Sequence, residues 1–183
     1  MDNIIKSKTL FHSKPNESRL QKELDTYDIL EKLEIPYAAL DHEVAMTMED
    51  LQEVEAALNV KVSKNLFLCN TQKTKFYMLI MPADKKFLTK NLSKQINSSR
   101  LSFADGSYME ELLNITPGSL SVFGLMFDKD NKVNLVIDKD VLGEEYFGCH
   151  PCINTSTLKI KTADILNKFL PYVVHEPTFV ELQ

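Results

Sequence analysis

Four places in the chain set reactive or charged side chains in patterns that can do chemistry. Lys64 stands just before the apolar stretch Asn65-Leu66-Phe67-Leu68-Cys69. An ammonium at a strand's mouth can act as a fixed positive charge for a phosphate or a developing oxyanion. A solvated lysine at a strand end has the same pattern. Gly118 follows Pro117 in Ile115-Thr116-Pro117-Gly118-Ser119, a turn whose backbone either faces a ligand or simply reverses the chain. His150 sits beside Pro151 with Asn154 and Thr157 downstream, as a proton carrier or as a loop histidine bonded to backbone. Cys149 and Cys152 have the C-x-x-C spacing that zinc sites and thiol-exchange centres share.

Other chemistries lack their residues. The chain has no G-x-S-x-G elbow, no H-E-x-x-H helix and no phosphate-binding glycine loop. With five glycines in 183 residues, a nucleotide cradle is not expected. A tetrahedral zinc site needs more ligands than one C-x-x-C, and His12, His42, His150 and His175 are scattered. The third cysteine, Cys69, leaves an odd count that does not suggest a disulfide framework. No cofactor or metal is expected. A net charge of −5, from 21 basic and 26 acidic residues, makes a poor general polyanion binder. Any nucleic-acid contact must therefore be a local basic patch, for which Lys61, Lys64, Lys73, Lys75 and Arg100 are candidates; Lys73 and Lys75 equally suit a solvated hairpin end. No apolar run reaches the 18 residues of a membrane span, and the first residues lack a secretory apolar region. A cytoplasmic protein without membrane contact is the expectation.

The elements that must position these groups follow from periodicity. Residues 1–17 are polar and aperiodic and read as a mobile leader, so residues 18–183 form the expected single domain. Leu20, Leu24, Tyr27, Leu30 and Leu33 recur at helical spacing, with Ser18 able to cap, and Ile35-Pro36 stops that helix. Tyr37 to Leu40 reads as a strand, and Thr47-Met48-Glu49-Asp50 as a capping box opening a second helix. Asn65–Cys69 and Phe76–Met81 read as a hairpin around Asn70–Lys75. Helices are expected near 90–96 and 107–113, with a brief strand at 100–103. Ser119–Phe127 and Val133–Ile137 read as a second hairpin. A strand over 154–160, a last helix ending before Pro171 and an edge strand at 179–182 complete the chain. The whole predicts an α+β domain on a mixed, largely antiparallel sheet surrounded by helices.

Six segments in order then resemble one family, the YbaK/ProX trans-editing aminoacyl-tRNA deacylases. They are Ser63-Lys64-Asn65-Leu66-Phe67-Leu68; Leu79 through Lys85; Leu101-Ser102-Phe103-Ala104; Thr116-Pro117-Gly118-Ser119; Gly148 through Thr155; and Thr162-Ala163-Asp164-Ile165-Leu166. They cover roughly residues 20–183 and are most similar to the alanyl-specific prolyl-tRNA editing branch. The resemblance implies a barrel-like central sheet and hydrolysis of the ester between an amino acid and the terminal ribose of tRNA. It implies that Lys64 orients the terminal nucleotide and that Asn65 accompanies it. The family's substrate loop falls on Gly118, Ser119, Leu120 and Ser121, its histidine-asparagine loop on His150 and Asn154, and a stem-reading basic residue loosely on Arg100. Val122 departs from the proline usual in that loop, which puts the pocket's shape in question.

The chemistry suits such residues. A synthetase pocket built for proline discriminates against smaller alanine by only about 1–3 kcal/mol per methylene, so a second sieve is needed. An aminoacyl ester is already activated; water can attack while amides near Gly118 hold the oxyanion. The expected substrate is alanine on proline tRNA, entering by its acceptor end, with transient association with prolyl-tRNA synthetase. Cysteine on the same tRNA, a non-catalytic tRNA- or protein-binding regulator of proline metabolism, and a metal or redox role for Cys149 and Cys152 stay open as alternatives.

Overall fold

The apolar stretches become strands, and polar side chains at their ends set the turns. The computed structural model describes residues 4–6, 9–45, 47 and 49–183. In chain order the elements are α1 (Gln21–Lys32), β1 (Tyr37–Asp41), α2 (Gln52–Leu58), β2 (Lys64–Asn70), β3 (Phe76–Met81), α3 (Thr89–Gln95), β4 (Leu101–Phe103), α4 (Gly106–Leu113), a 3₁₀ turn (Val122–Met126), β5 (Val133–Asp138), a second 3₁₀ turn (Lys139–Gly143), β6 (Tyr146–Cys149) and β7 (Ser156–Lys161). A closing helix follows as α5 (Thr162–Asp164), a π turn (Ile165–Phe169) and α6 (Leu170–Tyr172), and β8 (Thr178–Val180) ends the succession.

The β2–β3 hairpin forms as expected, antiparallel from Lys64 opposite Met81 to Cys69 opposite Phe76. Asn70 closes its turn: Oδ1 accepts from the N–H groups of Thr74 (2.8 Å) and Lys75 (3.0 Å), and Nδ2 donates to Thr74 Oγ1 (3.0 Å). This is the local Asx bonding that favours asparagine in turns. All six positions of β3 are buried, because it lies inside the five-stranded sheet β4-β2-β3-β5-β8. The second sheet has the order β1-β7-β6 and is antiparallel throughout. Of the strand pairs, only β3–β5 and β5–β8 run parallel, so the sheets are mixed and largely antiparallel. The two meet at a parallel bridge between Val62 and Gly148, and among the described residues they do not close into a barrel. That contact depends on glycine: a Cβ on Gly148 would lie 2.6 Å from the Lys61 carbonyl oxygen.

The second hairpin is a correction. Residues 119–127 do not form a strand; Ser121 caps a 3₁₀ turn by accepting from Phe123 N–H at 3.3 Å. This turn is buried on every side, and a short apolar run carries no period that separates a strand from a buried turn. β5 instead pairs with β3 and β8. The closing helix also runs past its expected end. Its π turn comes just before Pro171, where a missing N–H and a bulky ring disrupt a regular α ladder. Ser18 does not cap α1, whose N-cap is Leu20 without a side-chain bond. The Thr47–Asp50 pair bonds reciprocally, Thr47 N–H to Asp50 Oδ2 (2.8 Å) and Asp50 N–H to Thr47 Oγ1 (3.2 Å), but it closes the turn before α2 and does not cap it; the N-cap is Leu51, without a side-chain bond. In the segment 1–17, Ile5 bridges His42 and Phe11 bridges Ala39. The Arg19 guanidinium then ties this end to β1 and α1, at 2.6 Å from both Asp41 and Glu23.

Candidate active site

Lys64 opens β2 at the open end of the hairpin, opposite Met81. Its Nζ donates to the Lys85 carbonyl at 3.0 Å, which fixes the ammonium and leaves two N–H bonds for a ligand. Lys85 is itself anchored: its own Nζ reaches both Asp138 oxygens (3.1 and 2.9 Å), Asp140 (2.8 Å) and the Leu182 carbonyl (2.7 Å). Asp138 is fully buried. The Asn65 Nδ2 donates to the Leu120 carbonyl at 2.9 Å, which orients the amide. Its Oδ1 is buried and has no partner among the described residues. An acceptor left that way costs about 1–3 kcal/mol.

His150 forms the facing wall. Its Nδ1 lies 2.8 Å from the Ser156 carbonyl, and a carbonyl only accepts, so Nδ1 carries the proton and Nε2 the lone pair. Behind it, His42 Nδ1 donates to the Glu43 carbonyl (2.6 Å), and the Thr157 hydroxyl donates to His42 Nε2 (2.9 Å). Thr157 Oγ1 is also 3.4 Å from His150 Nδ1, so the two imidazoles share one hydroxyl. Burial holds the His150 pKa down to about 4, and the Ser156 carbonyl opposes that only partly. Burial also lowers the pKa of His42. Both rings are neutral at pH 7.

Gly118 has φ +90°, a conformation that glycine supplies without strain. Ser119 N–H closes the turn onto the Thr116 carbonyl at 3.1 Å. A cavity of about 340 Å³ brings together Lys64, Asn65, Gly118, Leu120 and His150, with Val62, Phe103, Ala104 and Met109 supplying apolar wall. Five of the nine candidate residues therefore converge.

The other four do not line this cavity. Ser119 and Asn154 border a second hollow of about 530 Å³ that also touches Pro117 and Gly118. Asn154 works there as a clamp: Nδ2 donates to the Ala45 carbonyl (2.6 Å) and Oδ1 accepts from Ala45 N–H (3.3 Å). Ser121 is fully buried and serves the 3₁₀ turn. Arg100 is exposed and lines neither hollow, its carbonyl accepting from Thr71 Oγ1 at 3.1 Å. Val122 is buried at the first position of the 3₁₀ turn and does not line the cavity. All three cysteines are free and buried. Burial raises the Cys149 thiol and pushes Cys152 up to about 12, so neither is a thiolate at neutral pH. Among the described residues no group of three or more His, Cys, Asp or Glu side chains is placed to hold a metal.

Sequence reasoning missed Lys85, His42 and Thr157 as supports, and Phe103 as wall. Lys85 and Phe103 lie inside segments that carry the family resemblance, but nothing in their spacing shows which neighbour they serve.

An aminoacyl-tRNA editing domain model matches residues 42–168, more than half of the chain and every residue of the cavity wall named above. The chain belongs to that family. It is 29% identical over 136 residues to the prolyl-tRNA editing protein ProX of Acetoanaerobium sticklandii, covering 74% of this chain and 83% of that one. It is 30% identical over 164 residues to the mouse prolyl-tRNA synthetase associated domain-containing protein 1, covering 87% and 95%. The fold matches a crystal structure described as that of a candidate trans-editing enzyme for prolyl-tRNA synthetase, with a TM-score of 0.66 over 91% of this chain and 99% of that one, at 11% identity. Aminoacyl-tRNA editing by ester hydrolysis is the activity of this domain family, and among the described residues no helix is long and apolar enough to cross a membrane.

Proposed function

We propose that this protein is a trans-editing deacylase that hydrolyses alanyl-tRNA(Pro). The observation that carries the reading is the pairing of a fixed ammonium with an orphaned buried acceptor in one small cavity. Lys64 offers two free donors to an anionic or hydroxylated group, and Asn65 Oδ1 lacks a donor. An aminoacylated ribose supplies both, a phosphate or hydroxyls at one end and an α-ammonium at the other. In this pose the ester carbonyl lies toward the Gly118 turn, where the N–H groups of Gly118 and Leu120 make no hydrogen bond among the described residues. Those amides receive the oxyanion as water adds.

With a pKa near 4, the His150 imidazole is a weak base at neutral pH. Its Nε2 accepts a hydrogen bond from the attacking water or the ribose and positions it. The vicinal hydroxyl of the terminal ribose carries the proton between water and leaving oxygen. Lys64 holds that ribose, so the cost of orientation is met by binding. The names of the bacterial and vertebrate relatives support proline tRNA as the carrier and association with prolyl-tRNA synthetase, and a charged-tRNA substrate would be met in the cytoplasm. Alanine rather than bulkier proline rests on the resemblance of the ordered segments to the alanyl-specific branch.

The test is a panel of proline tRNA charged with alanine, cysteine or proline, assayed for loss of the ester. Alanine is released fastest and proline is spared. Lys64→Ala lowers turnover by at least about 100-fold, with an unchanged far-UV spectrum. Lys64→Arg also impairs it, because a planar fork does not replace a compact ammonium. Preferential release of cysteine reassigns the substrate. Saturable tRNA binding without ester loss makes the protein a binding module instead.

A further inference from the structure

Phe103 has no part in the core. It is 63% exposed on edge strand β4 and lines the mouth of the Lys64 cavity. Phe87 meets it edge-on, with centroids 6.1 Å apart and planes at 66°, which steadies the ring and leaves much of its surface open. A single exposed aromatic residue is ordinary; one that is braced at the rim of a binding cavity is not.

The surface around it has unusual charge. Between Asp84 and Asp105 the chain has five basic residues, Lys85, Lys86, Lys90, Lys94 and Arg100, and no acid. The whole protein carries −5. Lys85 is spent on Asp138 and Asp140. The other four are exposed and make no ion pair among the described residues. Lys90 and Lys94 stand one turn apart on α3, on the face away from buried Leu92, and α3 packs on β4. Lys61 and Lys73, which the sequence also offers as patch cations, are by contrast neutralised by Glu144 and Asp105, each at 2.7 Å.

We infer that Phe103 is the stacking platform for the unpaired terminal base of the RNA acceptor end, with the unpaired cations of α3 following the adjoining phosphates. This rests on the proposed editing function and adds the subsite that seats the base. Single-stranded RNA ends are held by aromatic stacking beside a basic track, a combination that does not depend on base identity. The ribose then lies between Phe103 and Lys64, and the ester points inward.

The protein has no tryptophan, so Phe103→Trp creates a single site-specific reporter. A cytidine-cytidine-adenosine trinucleotide is expected to quench it saturably. Tyr172→Trp, an exposed position outside the cavity wall, is expected to show no quenching. In deacylation assays Phe103→Ala raises KM by roughly 5- to 150-fold, the range for loss of one base stack, while kcat stays within about twofold. Phe103→Trp restores KM. Lys90→Gln with Lys94→Gln weakens tRNA binding and flattens its salt dependence. An unquenched tryptophan, or a Phe103→Ala enzyme with normal KM, overturns the platform. If wild-type protein hydrolyses no charged tRNA, the editing reading fails, and trinucleotide quenching alone decides whether the base site exists.

Discussion

The neutral, buried His150 makes the stability of this protein depend on pH in a defined direction. Its pKa is about 4 when folded, against an ordinary 6.5. As pH falls below 6.5 the unfolded chain takes up a proton that the folded protein refuses until about pH 4. Stability from this group is therefore complete above about pH 6.5 and is lost as pH drops through that window. The gap between 6.5 and about 4 corresponds to roughly 3 kcal/mol, most of it lost by pH 4.5. His150→Gln removes the titration and keeps an N–H for the Ser156 carbonyl. Urea unfolding followed by far-UV circular dichroism, at pH 7.5 and 4.5, gives the comparison. Wild type is expected to lose roughly 2–3 kcal/mol more than the variant, a midpoint difference on the order of 1 M. Carboxylates titrate in both proteins and cancel. Parallel losses would show that His150 is not held neutral, and the assignment of a bare Nε2 to the cavity would fall with it.

Removing the shared hydroxyl by Thr157→Val leaves His42 Nε2 buried without a donor; a stability loss of about 1–3 kcal/mol in the same urea assay is expected. Gly148→Ala drives a methyl group to 2.6 Å from the Lys61 backbone, so the joint between the sheets opens at a cost of about 1–3 kcal/mol and a lowered Tm. Arg19→Met leaves Glu23 and Asp41 without their common cation and costs about 3 kcal/mol, measurable by thermal melting. A colorimetric disulfide reagent finds no reactive thiol in the native protein and three in denaturant; rapid reaction of Cys149 or Cys152 in the folded state contradicts their burial.

Local pattern was enough wherever local pattern decides structure. The β2–β3 hairpin, α1 and the Thr47–Asp50 pair were legible because alternation, helical spacing and side-chain-to-backbone bonding act within a few residues. The 119–127 segment was not, because a fully buried run looks alike as strand or turn. The partner of β5 was not legible either: parallel pairing with β3 joins segments more than fifty residues apart without a turn signal between them. Of the site, Lys64, Asn65, Gly118 and His150 came from ordered segments resembling a family, and their convergence on one cavity needed the fold. Asn154 stands out in the sequence but its work does not, since its clamp on Ala45 spans 109 positions. The neutralisation of Lys61 and Lys73 was hidden for the same reason, as each acid lies far along the chain.

The carbonyl that steadies the Lys64 ammonium belongs to a residue whose own side chain grips the Leu182 carbonyl. The segment that follows the final strand is thus tied to the candidate site across the sheet. Trimming the chain before Leu182 is expected to free one of the Lys85 anchors, so that an assay on such material reports a slackened enzyme although every wall residue of its cavity is present.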